Sequence, residues 1–336
     1  MILSGNNYAN YADEIFSNIL QTDRYNKIPV NKTYVVKKES NRFAEYVWYL
    51  NKELTINQSG SLIFTHFDTV GLLKKILRKN NIRNCSVIVH LSDKNMSYIK
   101  YIFYKNFFKF IYSTNVTYSS DNLFSLPIGI SNEYIKNNLS EKNFLDRDLQ
   151  WEKFEKIYLN FNENTNFFHR SWIQKNLENK NFVHIEKSKL SKKQYLNDIK
   201  NYKFVLCPWG NGYDTHRIWE ALYAGSIPVV KYHRAFESFK HLPIIFYTNI
   251  KELTLDYLND ELTNKKELEI NDLELSNWIS KNNLDKKYIK LNVDIRIVER
   301  YFHRLFLIKK INSKYKILRS YLYRILKKII FSNPLI

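Results

Sequence analysis

From residue 156 to residue 247, short apolar runs alternate with amphipathic stretches, and few folds accept that pattern. Lys156 to Phe161 reads as a strand, Phe167 to Leu177 as a helix, Phe182 to Glu186 as a strand, and Ser191 to Asn201 as a helix with Ser191 as its N-cap. Lys203 to Cys207 is a buried strand. Asp214 to Tyr223 is a helix stopped by Gly225. Ser226 to Val230 and Leu242 to Tyr247 are two further strands. Regular strand–helix alternation implies a parallel, doubly wound sheet that binds ligands at the carboxyl ends of its strands. The first half repeats the pattern more sparsely, with strands at Ser61 to His66, Ser86 to His90 and Phe107 to Tyr112, a helix from Gly71 to Lys79, and a Pro-Ile-Gly turn closing Phe124 to Ile130. Residues 1–58 read as containing at least two helical stretches. The polar stretch 135–153 separates the halves, giving domains at 1–145 and 146–290 and a C-terminal helical segment at 291–336. The fold class is α/β.

The segment Cys207-Pro208-Trp209-Gly210-Asn211-Gly212-Tyr213-Asp214-Thr215-His216-Arg217-Ile218-Trp219-Glu220 leaves a buried strand and enters a helix. Gly210 and Gly212 permit a close backbone approach or a positive φ. With Asp214 as N-cap, Arg217 occupies the third helical position, where a helix needing only a cap prefers Glu. A cation at that end costs roughly 0.3–1 kcal/mol, and a bound anion reverses the sign. Glu220 lies one turn after His216, where a carboxylate can accept two vicinal hydroxyls. Trp209 and Tyr213 offer rings for stacking on a base or sugar, and Trp219 reads as core.

Arg217-Ile218-Trp219-Glu220-Ala221-Leu222-Tyr223-Ala224-Gly225-Ser226-Ile227-Pro228-Val229-Val230 resembles the donor-site pattern of exostosin-like glycosyltransferases and, more loosely, of GT-B enzymes. The resemblance implies a GT-B-like architecture, two Rossmann-like domains facing a cleft, with acceptor side first and nucleotide-sugar side second. It also implies a C-terminal helix crossing back to the first domain and no obligatory metal. By resemblance Glu220 binds the ribose and Arg217 the phosphates, and transfer is inverting. Asn160, before Phe161 and Asn162 at a strand end, and Arg170 are candidates for the phosphate side. An inverting transferase needs a base for the acceptor hydroxyl. Asp93, Asp68, His66 and His90, at first-half strand ends, are the candidates in that order. Asn115 and the Pro127-Ile128-Gly129 turn are expected to shape the acceptor side.

The remaining features bound the reading. There is no Walker loop, no G-x-G-x-x-G and no H-E-x-x-H. Asp146-Arg147-Asp148 matches a D-x-D metal motif in letters but sits in the polar linker. Cys85 and Cys207 have no metal spacing and read as small core hydrophobes. No metal and no cofactor is expected beyond the donor substrate. The formal net charge of +19, from 52 Lys+Arg against 33 Asp+Glu, attracts polyanions without choosing among them. After Glu299 the chain has no acidic residue, and Ile308, Ile311, Tyr315, Leu318, Leu322, Ile325 and Ile329 form a stripe among lysines and arginines. That stripe fits either a helix packed on the body or a basic amphipathic helix on an anionic membrane. The start of the chain lacks a signal-peptide pattern and no run is long enough to span a bilayer, so the expectation is a cytoplasmic protein, peripheral on the inner face of a membrane.

The expected partners are a nucleotide-sugar donor and a glycan or lipid-linked acceptor, with no nucleic acid. Three rivals stay open: a nucleotide-sugar epimerase on the same scaffold, a polyanion- or nucleic-acid-binding protein, and a transferase scaffold that binds glycan without turnover.

Overall fold

The computed structural model describes residues 1–16, 18–21, 26, 33–41, 44–57, 60–144, 153–162, 165–279 and 288–331. The first part runs α1 (Gly5–Tyr11), β1 (Glu14–Phe16), β2 (Asn18–Leu20), β3 (Thr33–Ser40), β4 (Glu45–Asn51), β5 (Glu53–Asn57), β6 (Leu62–His66), α2 (Val70–Lys79), β7 (Ser86–His90), α3 (Tyr98–Tyr104), β8 (Ile111–Ser113) and β9 (Leu123–Ser125). The second runs β10 (Phe154–Leu159), α4 (Phe167–Leu177), β11 (Val183–Ile185), α5 (Lys192–Asn201), β12 (Tyr202–Leu206), α6 (His216–Tyr223), β13 (Ile227–Lys231), β14 (Ile245–Tyr247) and α7 (Leu255–Thr263).

Two five-stranded sheets carry the fold, and every pairing in both is parallel. The first has the order β1-β6-β7-β8-β9. β6 is buried at all five positions and β7 at four, which is why both read as continuous apolar runs. The register sets His66 beside His90 and Ser113 beside Ser125, so the carboxyl ends of these strands lie level. The second sheet has the order β11-β10-β12-β13-β14. The chain reverses direction across this sheet between β10 and β12. That switch point is where open α/β sheets take ligands.

The pleat sorts the side chains of the second sheet. Ile157, Leu159, Phe204, Leu206 and Val229 enter a core with Ile173 and Leu177 of α4 and Leu258 of α7. Their neighbours Tyr158, Val205, Cys207 and Val230 point to the other face. There they share one continuous core with Trp219 of α6 and with Leu3, Phe64, Ile88 and Ile130 of the first part. Because that core joins both sheets, Met1–Leu291 forms one compact unit and Asn292–Ile336 a second. The boundary expected at 145/146, and Asp146-Arg147-Asp148, lie outside the described residues.

Several expectations are corrected. Residues 1–58 hold, among those described, one short helix and five strands, and β2-β4-β3 form an antiparallel sheet. The Tyr, Val, Thr and Trp content of β3 and β4 favours this pleated surface over a helix. The strand expected at Phe107 to Tyr112 is β8, starting at Ile111, because Phe107 and Phe108 close a turn onto the carbonyl of Tyr104.

The N-terminal segment is tied in by Gly129. Its φ is +67°, and a Cβ there would lie 2.1 Å from the Leu3 carbonyl oxygen, which accepts the Ile130 N–H at 2.9 Å. Gly129→Ala is therefore expected to lose about 3 kcal/mol or more of stability, since both the backbone conformation and a backbone clash oppose it. Denaturant unfolding of the variant checks this. A loss below 1 kcal/mol would mean that the segment yields without cost.

The second unit, described by itself, is dominated by a 37-residue helix, α8 (Ile295–Phe331). Leu307, Ile308 and Ile311 are exposed on it. Among the described residues, no helix is long and apolar enough to cross a membrane.

Candidate active site

β12 ends at Leu206, and the buried Cys207 carries the chain into a loop gripped from beneath. Arg170, on α4, does the gripping. Its Nε donates to the Trp209 carbonyl at 3.0 Å, Nη1 to Asn162 O at 2.8 Å and Nη2 to Pro208 O at 3.4 Å. One buried guanidinium thus fastens the loop after β12 to the loop after β10. Burial, then the nearby Arg217, lower its pKa to about 10, so it stays charged at neutral pH. Asn166 Nδ2 adds a bond to Gly210 O at 3.2 Å. Arg170 was a candidate for the phosphate side, and its geometry makes it a clamp on loop carbonyls.

Aromatic rings fill the outer side of the loop. Trp209 stacks on His169 at 4.9 Å and donates its indole N–H to Lys231 O at 2.9 Å. Tyr213 lies face to face with His233 at 3.4 Å, and Trp209 meets both rings edge-on. Burial, followed by Lys231 and Arg170, holds the His169 pKa down to about 4, so this ring is neutral. Lys231 Nζ lies 5.6 Å from the Trp209 ring centroid. The two rings offered for stacking therefore belong to one cluster with two histidines.

The first sheet reaches this loop from its strand ends. Asn115, just after β8, has a left-handed backbone with φ +51°. Its Oδ1 accepts the N–H groups of both Tyr213 and Asp214 at 2.9 Å. A Cβ on Gly212 would come within 2.9 Å of Asn115 Nδ2 and 3.1 Å of the Asp93 carbonyl oxygen. Gly212 is thus the close approach. Gly210 has ordinary room, and neither glycine has positive φ. Asn211 Nδ2 donates to Asp93 Oδ2 at 3.3 Å, and His216 Nδ1 meets Gly129 O at 2.7 Å.

Asp214 is not the N-cap of α6, and Thr215 takes that position. The buried Asp214 carboxylate instead accepts the Ile128 N–H at 2.7 Å and the Trp219 indole N–H at 2.8 Å, locking loop, helix and first sheet together. Shifting the cap by one residue places Arg217 at the second helical position, so the comparison with a capping box no longer applies. Thr215 makes no side-chain cap, and its Oγ1 is buried without a partner. Among the described residues, the cap therefore contributes no side-chain bond to this N-terminus. Trp219 is core, as expected, at 0% exposure.

Burial raises the Asp214 pKa to about 7, against the opposing bonds from Ile128, Trp219 and Thr215. The folded state therefore holds this proton more tightly than the unfolded chain. The resulting stabilisation is complete below about pH 4 and is lost as pH rises through about 7. The stability difference between wild type and Asp214→Asn is expected to shift against wild type by roughly a few kcal/mol across that window. Unfolding of both proteins at several pH values checks this, and a pH-independent difference would contradict it.

Of the two residues on α6 singled out by the motif, Glu220 is buried and Arg217 half-buried, and both meet the half-buried Tyr195. Arg217 Nη1 donates to the carbonyl of Asn160 at the end of β10, and its guanidinium lies 5.5 Å from the Tyr195 ring centroid. The Tyr195 hydroxyl donates to Glu220 Oε2 at 2.9 Å. Burial raises the Glu220 pKa, while Arg217, then His216, and the Tyr195 hydroxyl oppose that rise. Burial works against the charge of Arg217, yet Tyr195, Glu220, Cys207 and Tyr158 more than offset it and raise its pKa. Asn160 Nδ2 itself bonds Glu186 O at 3.3 Å. Arg217 and Glu220 thus sit at the β10/β12 switch point. α6 then ends in a Schellman turn, with Ser226 N–H on Ala221 O at 2.8 Å, Gly225 N–H on Leu222 O at 3.0 Å and Gly225 at φ +70°.

Of the four candidate bases, Asp93 alone is an exposed carboxylate touching the loop after β12. Asp68 is buried and ion-paired with Lys94. His66 is buried against Trp48 at 4.6 Å, and its Nδ1 accepts the Asp68 N–H at 3.0 Å. His90 is 1% exposed, with its ring tilted against that of Tyr8 at 4.8 Å and Nε2 on Pro127 O at 3.2 Å. Burial, against the Pro127 bond, takes its pKa down to about 3.

Tyr195, His169, His233 and Lys231 belong to this constellation and were missed from sequence. For Tyr195 the available signal was its place on a capped helix next to the buried strand. Nothing local marks the others.

Residues 159–293 match the RXYLT1 C-terminal domain family. The match opens at the end of β10 and takes in Asn160, Arg170, Tyr195, the loop after β12, Arg217 and Glu220. It indicates a glycosyltransferase at the level of the family. Residues 1–158 lie outside it. No curated protein matches the chain.

Proposed function

We propose that the chain transfers a sugar from a nucleoside-diphosphate donor to a glycan or lipid-linked acceptor by single displacement with inversion, the two sheets forming the walls of a GT-B-like cleft. One observation carries the reading. The switch point of the second sheet combines a helix N-terminus whose cap residue makes no side-chain bond to it with the buried Glu220 and the half-buried Arg217 and Tyr195. An uncapped helix end beside an arginine is the arrangement that a diphosphate satisfies. Glu220 Oε2 takes the Tyr195 hydroxyl, and Oε1 takes no hydrogen bond among the described residues, which suits a ribose hydroxyl.

In this reading Asp93 removes the proton of the acceptor hydroxyl. The oxygen attacks the anomeric carbon, the bond to the diphosphate breaks, and Arg217 with the helix end stabilises the leaving charge. A cavity of about 80 Å³, lined by Ser120, Ser125, Arg234 and Glu237 among others, lies beside these strand ends and suits a hydroxylated acceptor. The C-terminal helix, with Leu307, Ile308 and Ile311 exposed among lysines, would lie on an anionic membrane carrying a lipid-linked acceptor.

Incubation with a panel of nucleotide sugars and glycan or lipid-linked acceptors tests the reading. Acceptor-dependent release of nucleoside diphosphate supports transfer. Conversion of the donor sugar without release would make the protein an epimerase, and binding without either would make it a lectin-like scaffold.

A further inference from the structure

α3 is built inside out. On a seven-residue helix, Ile99, Ile102 and Phe103 fall at i, i+3 and i+4 and share one face. That face points to water, with Ile99 70%, Ile102 42% and Phe103 65% exposed, and Tyr98 beside it at 49%. The inward face is carried by tyrosine, with the Tyr101 ring 5.6 Å from that of Tyr118. Tyr101 is 5% exposed, and its hydroxyl bonds Ser120 Oγ at 2.5 Å and Asn122 Oδ1 at 2.6 Å. A helix that needed only to pack on its sheet would place these residues the other way round.

The surroundings of the stripe are cationic. α2 packs beside α3, with Lys74 Nζ on the Phe103 carbonyl and near the rings of Tyr104 and Phe107. The outer side of α2 shows Lys75, Arg78 and Lys79 to solvent, and Lys105 and Lys109 follow α3. Across residues 69–120 the chain carries nine Lys and Arg and a single carboxylate, Asp93.

We propose that this face docks on an anionic lipid surface, with Ile99, Ile102 and Phe103 entering the interface between headgroups and acyl chains and the lysines of α2 and α3 lying on the headgroups. Apolar residues that penetrate and cations that surround them are the two elements of interfacial binding. A second copy of the chain fits poorly, because a face-to-face pair would bring two cationic rims together. The proposal does not depend on the transferase reading or on the C-terminal helix.

Cosedimentation of the full chain tests it, using vesicles of phosphatidylcholine alone and of phosphatidylcholine with phosphatidylglycerol. Wild type is expected to bind the anionic vesicles, with binding weakened by salt. Ile99→Ser/Phe103→Ser is expected to weaken it about tenfold or more, because two exposed apolar side chains no longer leave water. Lys75→Gln/Lys79→Gln is expected to weaken it by about tenfold or more. All these side chains are exposed, so unfolding temperatures should stay at the wild-type value. Three outcomes would overturn the proposal: no binding by wild type, unchanged binding in both variants (which would assign lipid contact to another surface such as the C-terminal helix), and self-association lost in Ile99→Ser/Phe103→Ser without any lipid binding.

Discussion

Asp93→Asn is expected to lower kcat by about 10²–10⁴-fold while leaving nucleotide affinity and thermal stability near wild type. The side chain is exposed just beyond the carboxyl end of β7 and accepts a hydrogen bond from the amide of Asn211 at 3.3 Å. An Asn fits the same space and still accepts that bond, so the change removes proton acceptance and little else. The alternatives fare worse on physical grounds. His90 is a neutral core ring whose affinity for a proton is held low by burial. Asp68 has its charge committed to Lys94, and His66 is wedged beneath Trp48. Steady-state kinetics with a saturating donor checks the expectation. Activity within about twofold of wild type would move the base elsewhere and leave Asp93 as a contact of the loop.

Arg217→Lys should cut kcat/KM by about 10²–10³-fold, although the charge is kept. The guanidinium spans the Asn160 carbonyl and the Tyr195 ring, a planar reach that an ammonium cannot copy. Arg217→Leu should in addition lose about 1–3 kcal/mol of stability, because the buried Glu220 carboxylate then loses the positive charge that most favours its ionised form. Kinetics paired with denaturant unfolding separates the two effects. If Arg217→Lys keeps full activity, the residue is a structural cation only.

How much of this was legible beforehand follows from the range of the forces involved. The helix Phe167–Leu177 was bounded to the residue, and the Ser191 cap appears with its Gln194 partner as a full capping box, because periodicity and capping act within a few positions. The central strands of both sheets were legible because burial on both faces writes an unbroken apolar run. Arg217 and Glu220 were singled out because the helix carrying them has a local motif, and the structure brings both against Tyr195. What was hidden depends on distance along the chain. Asn115 meets Tyr213 and Asp214 from 98 and 99 residues away, and Asp214 holds Ile128 across 86. No periodicity records such bonds, so Asp214 read as a cap when it is a joint between the two sheets. Arg170 read as a phosphate ligand for the same reason, since its three carbonyl partners come from two separate loops. The antiparallel β2-β4-β3 sheet was missed because β2 spans three residues, too few to show a period.

The central claim is that the loop after β12 and the start of α6 form a nucleotide-sugar donor site. Thermal unfolding with UDP, GDP, CMP, dTDP and ADP, on wild type and Glu220→Gln, tests it most directly. A nucleotide at about a hundred times its dissociation constant stabilises by about 2.7 kcal/mol, a rise of a few degrees for a chain of this size. The account predicts such a rise for wild type with one nucleotide and its loss in Glu220→Gln. A well-folded wild type that shifts with none of them, or an equal shift in both proteins, would contradict it.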